Sequence, residues 1–282
     1  MNANDLITQV KDLPPVPVAA VRLLGLLNQP TLDNEDLVKV VKYDTALTAR
    51  MLRVCNSAHY GLAEPVCSVE QAVLLLGQRE ISRIVMALSF GPSLSRKLPN
   101  YAVEGSELWH HSLACALAAE HICNQDIAGA AEPSLAFTAG LLHDIGKMAL
   151  NQFITADTVV GIRNLVKNNS VSRVEAERQI LGVDHAQMGG ALLGRWNLPE
   201  IIIEAVTNHH NPILQPKVQL SAIMHVANCE AHLLGCAIGW DGYAERARED
   251  VMEALGLEAE ALQQEIIAVH ESLSAINEFM KG

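Results

Sequence analysis

Histidine is the most informative residue type in this sequence, because several of its 11 copies stand in doublets with a second polar side chain. The doublets are His110-His111, His143-Asp144, Asp184-His185 and His209-His210. Neutral imidazole and carboxylate are ligands that suit zinc, iron or manganese. One histidine on an apolar helix face is usually a core residue, but that explanation weakens when several doublets all fall near predicted helix ends. We therefore predict that these side chains line one cavity that holds a metal ion or a small ligand.

The strongest local pattern surrounds His143 and Asp144, in the segment LLHDIGK at residues 141–147. Apolar residues precede this pair and a glycine follows it, which predicts that both side chains project from a helix end. Two adjacent ligands at a helix terminus can chelate one ion or bridge two. The sequence thus predicts that a metal site is centred on this pair.

Longer segments around these residues resemble a known family. AGLLHDIGKMAL, at residues 139–150, resembles the signature of the HD superfamily of metal-dependent phosphohydrolases. Further segments resemble its HDOD branch: LPPVP at 13–17, YDTALTARMLRVCNSAHYG at 43–61, SVEQAVLLLGQREISRIVMALS at 68–89, LWHHSLACALAAEHI at 108–122 and GVDHAQMGGALLGRWNLPEIIIEAVTNHH at 182–210. The resemblance covers about residues 6–235. It implies an all-α fold and a role as an output or regulatory module in bacterial signalling, in a branch whose members commonly lack a demonstrated reaction.

The resemblance also implies a set of metal ligands. His111 matches the family's first histidine, and His143 and Asp144 match the pair that names the superfamily. His185 resembles an additional histidine of the cyclic-dinucleotide phosphodiesterase branch, and His209-His210 resembles the tandem pair of that branch. The implied ligands are therefore His111, His143, Asp144, His185, His209 and His210.

Two catalytic residues follow from the same resemblance, namely Asp144 and Lys147. Lys147 resembles a lysine that meets a substrate phosphate in active relatives, although a lysine at a helix end can equally be an idle surface residue. Glu107 lies one helical turn before His111 and is a further candidate carboxylate. A solvated surface glutamate is the simpler interpretation of that position.

The sequence departs from the superfamily pattern in two places. Asn228 stands where the last metal-binding aspartate is expected, and an amide oxygen is neutral and binds a cation more weakly than a carboxylate does. After the tandem histidines the sequence has Asn211-Pro212-Ile213 and no Gly-Tyr-Pro segment. Hydrolysis of cyclic dinucleotides is therefore disfavoured.

Composition limits the classes of protein that remain. The 282 residues are 50% hydrophobic, with 4% aromatic residues, which favours packed helices over a β-sandwich. A formal net charge of −12 disfavours nucleic acid and anionic membranes as partners. The six cysteines form no CxxC pair and the N-terminus has no signal-peptide pattern, so we expect a reduced, cytoplasmic protein. No apolar run reaches the ~18 residues that a membrane span requires.

Helical periodicity predicts two packed lobes, at 1–98 and 99–282. The resemblance identifies them as an N-terminal HDOD lobe and an HD-phosphohydrolase-like bundle with the His/Asp cavity. The resemblance implies one continuous HDOD domain over about 6–235, and the polar stretch at 93–100 is the predicted boundary between the lobes. Asp33 is a predicted helix N-cap and Gly77 a predicted C-terminal cap. Helices are predicted at about 45–57, 68–76, 79–90, 106–124, 133–141, 155–168, 172–181, 185–196, 199–208, 218–235, 243–255 and 258–279.

Three functional hypotheses remain open. The leading one is a stand-alone HDOD regulatory protein that transmits a signal through contact with a protein partner, with homodimerisation as an open possibility. The cavity would keep a divalent transition metal (iron, zinc, nickel or manganese) at partial occupancy, or a small ligand. Two interpretations stay open for a set of polar residues in the N-terminal lobe, a surface for a partner or helix capping and solvation; these residues are Asp44, Arg50, Arg53, Asn56 and Ser57. The alternatives are a metal-dependent phosphohydrolase, which the neutral side chain at Asn228 disfavours, and a structural scaffold with an empty cavity.

Overall fold

The computed structural model of the chain describes residues 3–10, 15–29, 32–125, 131–169, 171–214, 220–238, 246–258, 266–267, 269–270 and 272–273. Over these residues the fold is all-α, as predicted, and no β-strand occurs among them; Leu98 and Val103 form an isolated β-bridge. The helices are α1 (Ala3–Ile7), α2 (Val18–Leu27), α3 (Asn34–Lys42), α4 (Thr45–Cys55), α5 (Val69–Leu94), α6 (Glu107–Asn124), α7 (Pro133–Leu142), α8 (Gly146–Leu150), α9 (Ala156–Asn169), α10 (Arg173–Leu181), α11 (His185–Arg195), α12 (Glu200–Asn208), α13 (Leu220–Leu233) and α14 (Glu249–Leu255), with a 3-10 turn at Pro99–Tyr101.

Side-chain caps start several of the helices. The Asp33 carboxylate accepts a hydrogen bond from Glu35 N at 3.0 Å and begins α3, which confirms the predicted cap. Asp44 begins α4 in the same way, with a bond of 2.9 Å from Leu47 N. Each cap satisfies one of the backbone N–H groups that a helix start leaves without a partner.

Two predictions concern helix α5, of which the break at Gly77 is confirmed and the end before Pro92 is wrong. Gly77 has φ 83° and ψ 161° and interrupts the helix where a cap was predicted. The predicted end before Pro92 is wrong, because the helix continues to Leu94. Proline cannot donate to the carbonyl four residues earlier, but Arg50 Nη1 donates to that oxygen, Leu88 O, at 3.2 Å.

Three of the five polar residues that could form a partner surface have roles within the N-terminal lobe itself. Arg50 donates to the Leu88 carbonyl, which receives no helical hydrogen bond from Pro92, and Asp44 caps α4. Asn56 clamps a loop, since its side chain accepts from Val66 N at 2.7 Å and donates to Val66 O at 2.8 Å. These contacts within the chain account for three of the polar residues, so no partner protein is needed to explain them.

Helices from both sides of the predicted boundary at residue 98 share one hydrophobic core. Helix α5 packs on α6 and α7, and α2 also contacts α7. Helix α1 packs on α11, where Arg195 Nη1 donates to Ile7 O at 3.2 Å. The division into lobes at 1–98 and 99–282 stays a prediction.

The C-terminal helices differ from their predicted bounds. Helix α14 begins at Glu249 and not at residue 243, since 246–248 are not helical and 239–245 lie outside the described residues. Arg248 has extended backbone, and its N–H donates to His225 Nε2 at 3.2 Å instead of entering the helix. Of the predicted helix at 258–279, only 266–267, 269–270 and 272–273 are described, and they are helical.

Candidate metal centre

The His143-Asp144 pair lies in the short turn between α7 and α8, and two glycines hold this turn in place. A Cβ on Gly140 would lie 2.5 Å from Ala116 Cα, so α7 approaches the backbone of α6 directly. A Cβ on Gly146 would lie 1.9 Å from His185 O, so α8 touches the start of α11. The absence of side chains at these two positions brings the turn between α6 and α11.

The first cluster of candidate ligands consists of His111 on α6 with His143 and Asp144. His111 Nε2 lies 3.1 Å from His143 Nε2, and these two atoms lie 3.5 and 3.4 Å from Asp144 Oδ2. His111 Nδ1 donates to Cys236 O at 2.9 Å, and His143 Nδ1 donates to Gly140 O at 2.8 Å. Because a carbonyl only accepts, each Nδ1 carries a proton, and the two Nε2 atoms that face each other can both act as ligands.

The second cluster consists of His185 at the start of α11 with His209 and His210 at the end of α12. His185 Nε2 lies 2.8 Å from His210 Nε2. His209 Nδ1 donates to Val206 O at 2.7 Å. His209 Nε2 is buried and has no hydrogen-bond partner within the described part of the chain. A buried nitrogen acceptor without a partner is costly unless a cation or a proton satisfies it.

Asp144 connects the two clusters. Its Oδ2 faces the first cluster, and its Oδ1 lies 3.2 Å from His185 Nε2 in the second. Lys147 is buried as well, contrary to the surface interpretation, and its Nζ lies 2.7 Å from Asp144 Oδ2. Burial raises the pKa of Asp144, but Lys147 and His143 outweigh it and hold that pKa well below its usual range. The carboxylate is therefore charged, with one oxygen turned toward each histidine cluster.

The histidines differ in charge before any metal binds. Burial, reinforced by His143, lowers the pKa of His111 to about 3. Burial and the adjacent His210 hold the pKa of His209 well below its usual range. Burial also acts to lower the pKa of His185, but a neighbouring carboxylate, Glu177, raises it to about 9. His111 and His209 are thus neutral at neutral pH and ready to bind a metal ion. His185 must first lose a proton to solvent before it can bind one.

Glu177 is the residue of this site that the sequence interpretation missed. It lies on α10 and is fully buried. Its Oε2 accepts from His185 Nδ1 at 2.8 Å and from His185 N at 2.9 Å. The available signal was its position three residues after buried Val174, which places a carboxylate on the apolar stripe of a helix.

Three other polar residues that the sequence suggests as possible ligands lie outside the two clusters. His110 is only half-buried, unlike its neighbour His111. Asp184 caps α11 through a capping box with Gln187 and pairs with Arg178. Glu107 Oε2 accepts from a backbone N–H, that of residue 104, at 2.8 Å. Glu107 and Asp184 are therefore helix-terminus residues.

Asn228 lies on α13, one helical turn from two histidines that touch the site. His225 Nδ1 donates to His209 O at 3.0 Å, and the ring of His232 lies 5.0 Å from the ring of His111. Residues three and four apart share a helix face, so Asn228, which is buried, lies on the face of α13 turned toward the clusters. Its role as a ligand stays a prediction.

Replacing Asn228 with aspartate is expected to tighten divalent metal binding by about tenfold, because a charged oxygen binds a cation more strongly than an amide oxygen. Without metal the variant buries an extra carboxylate, so its melting temperature is expected to fall and to recover on metal addition. Calorimetric titration and thermal denaturation with Mn²⁺ measure both effects. The control is Asn124→Asp, which adds the same charge at the exposed end of α6. Equal affinity in wild type and Asn228→Asp would place Asn228 outside the site.

The matching family is the HDOD domain, whose profile covers residues 13–212. The chain belongs to the HDOD domain family. One curated relative is 24% identical over 211 residues, and the chain spans 40% of its length. A second is 37% identical over 75 residues, and the chain spans 18% of its length. Both relatives therefore extend well beyond the matched region. None of the helices in the described residues combines the length and the apolar composition that crossing a membrane requires.

Solved structures of three bacterial proteins are similar to this chain. An HDOD domain protein of unknown function from Geobacter sulfurreducens is 26% identical, with a TM-score of 0.70 over 98% of this chain and 94% of that one. A "Putative signal transduction protein" from Marinobacter aquaeolei VT8 is 25% identical, with a TM-score of 0.77 over 100% of this chain and 62% of that one. A "Putative phosphohydrolase" from Shewanella amazonensis SB2B is 21% identical, with a TM-score of 0.69 over 97% of both chains, which shows a common fold alone.

Proposed function

We propose that this chain is an HDOD regulatory protein that acts through contact with a protein partner in a signalling pathway, and that its histidine clusters bind a divalent transition metal. The observation that carries the metal site is the pair of Nε2 atoms of His111 and His143, which face each other at 3.1 Å. Both rings donate their other nitrogen to a backbone carbonyl. A buried pair of this kind needs a cation or a proton between its nitrogens.

The donor set favours particular metals. His111, His143, His185, His209 and His210 offer nitrogen, and Asp144 offers the one carboxylate within these clusters. Iron, zinc, nickel and manganese accept such a mixture, whereas magnesium prefers oxygen ligands. With one carboxylate we expect partial occupancy, and acid is expected to release the metal because protonated histidines cannot bind.

The same geometry suggests how metal binding serves regulation. The candidate ligands come from α6, the turn after α7, the start of α11 and the end of α12. An ion held by them would cross-link these helices and stabilise the folded state by an amount that grows with the logarithm of the ion concentration above Kd. Metal occupancy would then change the rigidity of the surface that a partner meets. The name of the Marinobacter protein supports a signalling role for this family.

The direct test is metal analysis of protein purified without chelator, followed by titration of the stripped protein with Zn²⁺, Mn²⁺ and Fe²⁺. We expect substoichiometric metal as purified, saturable binding on titration, and a higher melting temperature in the loaded protein. Binding is expected to weaken as the pH falls from 7 to 5. Stripped protein that takes up none of these ions at neutral pH would refute the metal site.

A metal-dependent phosphohydrolase is the second candidate, and Lys147 is the observation that favours it. Its buried ammonium lies beside the candidate metal ligand Asp144, where it can stabilise negative charge on a phosphoryl oxygen. A bound metal would supply Lewis-acid activation of water. In the regulatory protein, the same ammonium competes with the metal for Asp144 Oδ2.

The substitution Lys147→Met distinguishes these two roles. It removes a positive charge 2.7 Å from Asp144 Oδ2, so we expect metal affinity to rise by about tenfold or more. If the protein is a hydrolase, metal-dependent hydrolysis of a phosphodiester such as bis(p-nitrophenyl) phosphate is expected to fall by about 100-fold in the variant. The control is Lys97→Met, which breaks an exposed pair with Glu104. Unchanged metal affinity in Lys147→Met would show that Lys147 does not compete with the ion.

A further inference from the structure

We infer that Glu177 is a positioning residue for the metal centre, which fixes the ring of His185 so that Nε2 faces the ion and supplies a negative charge behind it. The inference rests on the proposed metal binding. It concerns a residue outside both clusters, since among the described residues Glu177 contacts one candidate ligand, His185.

The hydrogen bonds from His185 to Glu177 leave the imidazole one orientation. Glu177 Oε2 accepts from both the backbone N–H and the ring Nδ1 of His185, at 2.9 and 2.8 Å. Rotation of the ring would break the second bond inside a fully buried site. In the observed orientation, His185 Nε2 lies 3.2 Å from Asp144 Oδ1 and 2.8 Å from His210 Nε2. Glu177 therefore holds the proton on Nδ1 and directs Nε2 toward the other candidate ligands.

Glu177 is itself held by two residues. Its Oε1 accepts from Tyr101 Oη at 3.0 Å and from Arg173 Nε at 3.2 Å. The Arg173 guanidinium also lies over the Tyr101 ring, 4.5 Å from its centroid. The carboxylate thus receives four donors, two on each oxygen, and cannot turn without losing several of them. Tyr101 belongs to the 3-10 turn between α5 and α6, so this contact ties the connection between these helices to the metal centre.

Charge gives Glu177 a second effect. Among the candidate ligands Asp144 is the one anion, and Lys147 offsets its charge at 2.7 Å. Asn228 is neutral where the superfamily pattern has a carboxylate. When a carboxylate accepts a hydrogen bond from Nδ1 of a histidine ligand, the Nε2 atom of that histidine becomes a stronger electron-pair donor to the metal ion. Glu177 in this way compensates in part for the charge that Asn228 lacks.

The test compares Glu177→Gln with wild type. One amide has a single oxygen for four donors, so the variant cannot satisfy both His185 and the Tyr101–Arg173 pair. We expect Zn²⁺ affinity by calorimetry to fall by about 10- to 100-fold. We also expect the slowly exchanging Nδ1–H resonance of His185, seen by ¹⁵N-edited NMR of the Zn²⁺-loaded protein, to disappear. The control is Glu120→Gln, another buried carboxylate; neither it nor its ion-pair partner, Arg83, belongs to the two clusters, and the Zn²⁺ affinity of this variant is expected to stay unchanged.

The two readouts separate positioning from a purely structural role. If Glu177→Gln lowers the melting temperature but keeps both Zn²⁺ affinity and the Nδ1–H resonance, the inference is wrong. If the variant does not fold, Tyr101→Phe decides, because it removes one donor to Glu177 while keeping the ring. We expect its Zn²⁺ affinity to fall by a few-fold, and unchanged affinity would overturn the inference.

Failure of the inference is distinguishable from failure of the proposed metal site. Wild-type protein that binds no Zn²⁺ would refute the site, and the NMR comparison would then be made without metal. There the Nδ1–H resonance of His185 is still expected in wild type and absent in Glu177→Gln. Its presence in both proteins would refute the positioning role independently of metal binding.

Discussion

Replacing Asp144 with asparagine is expected to lower the affinity for a divalent metal by about 100-fold or more. Asp144 has an oxygen in each cluster, with Oδ2 within 3.5 Å of His111 Nε2 and Oδ1 3.2 Å from His185 Nε2. An amide keeps the shape but brings its NH₂ group to one of these sides, where it repels a cation. It also removes the one negative charge among the candidate ligands.

Asparagine at this position has a second consequence, for folding. Lys147 is buried and would lose its carboxylate partner, and breaking one half of a buried ion pair costs about 3–5 kcal/mol. The double variant Asp144→Asn/Lys147→Met removes both charges and is expected to recover much of this stability without recovering metal binding. Calorimetric titration with Zn²⁺ and chemical denaturation, applied to both variants, measure the two effects separately. Wild-type affinity in the folded double variant would exclude Asp144 from the site.

The sequence shows directly that the histidine doublets lie near helix ends, because helix ends and the His-Asp pair are local patterns. The structure places His111 beside His143, and His185 beside the tandem pair at 209–210. The pairing of Glu177 with His185 was not predictable, because helical periodicity assigns a residue to a face but does not say what packs against it. The burial of Lys147 was missed for the same reason, since α11 covers α8 only in the folded chain.

The helix boundaries show the same limit. Asp33 and Gly77 act through their own backbone neighbourhood, so their roles as cap and helix break follow from residue type. Pro92 was expected to end its helix, but Arg50, 42 positions earlier in the sequence, supplies the donor that proline lacks. Arg248 stays out of α14 because its N–H donates to His225. In both cases a long-range hydrogen bond outweighs the local preference.

Among the glycines that the structure describes, Gly146→Ala is expected to produce the largest loss of stability, because its nearest clashes are with backbone. The new Cβ would lie 1.9 Å from His185 O and 2.4 Å from Gly189 N. Both are backbone atoms, so no rotation of a side chain can relieve the overlap. Helix α8 would have to move away from α11, and overpacking of this kind costs about 1–3 kcal/mol or more. The separation would also draw Asp144 away from His185, so metal affinity is expected to fall with stability.

The control for this substitution is Gly194→Ala, which lies on α11, the helix that packs against α8. Among the described residues its Cβ would meet Ile203 Cδ1 alone, at 3.9 Å, which is an ordinary van der Waals contact. Alanine is favoured over glycine in a helix interior by about 1 kcal/mol, so this variant is expected to be as stable as wild type or slightly more stable. Chemical denaturation of both variants measures the difference. Equal stability of Gly146→Ala and Gly194→Ala would mean that α8 and α11 do not meet backbone to backbone, and the contact that places Asp144 between the two histidine clusters would then be wrong.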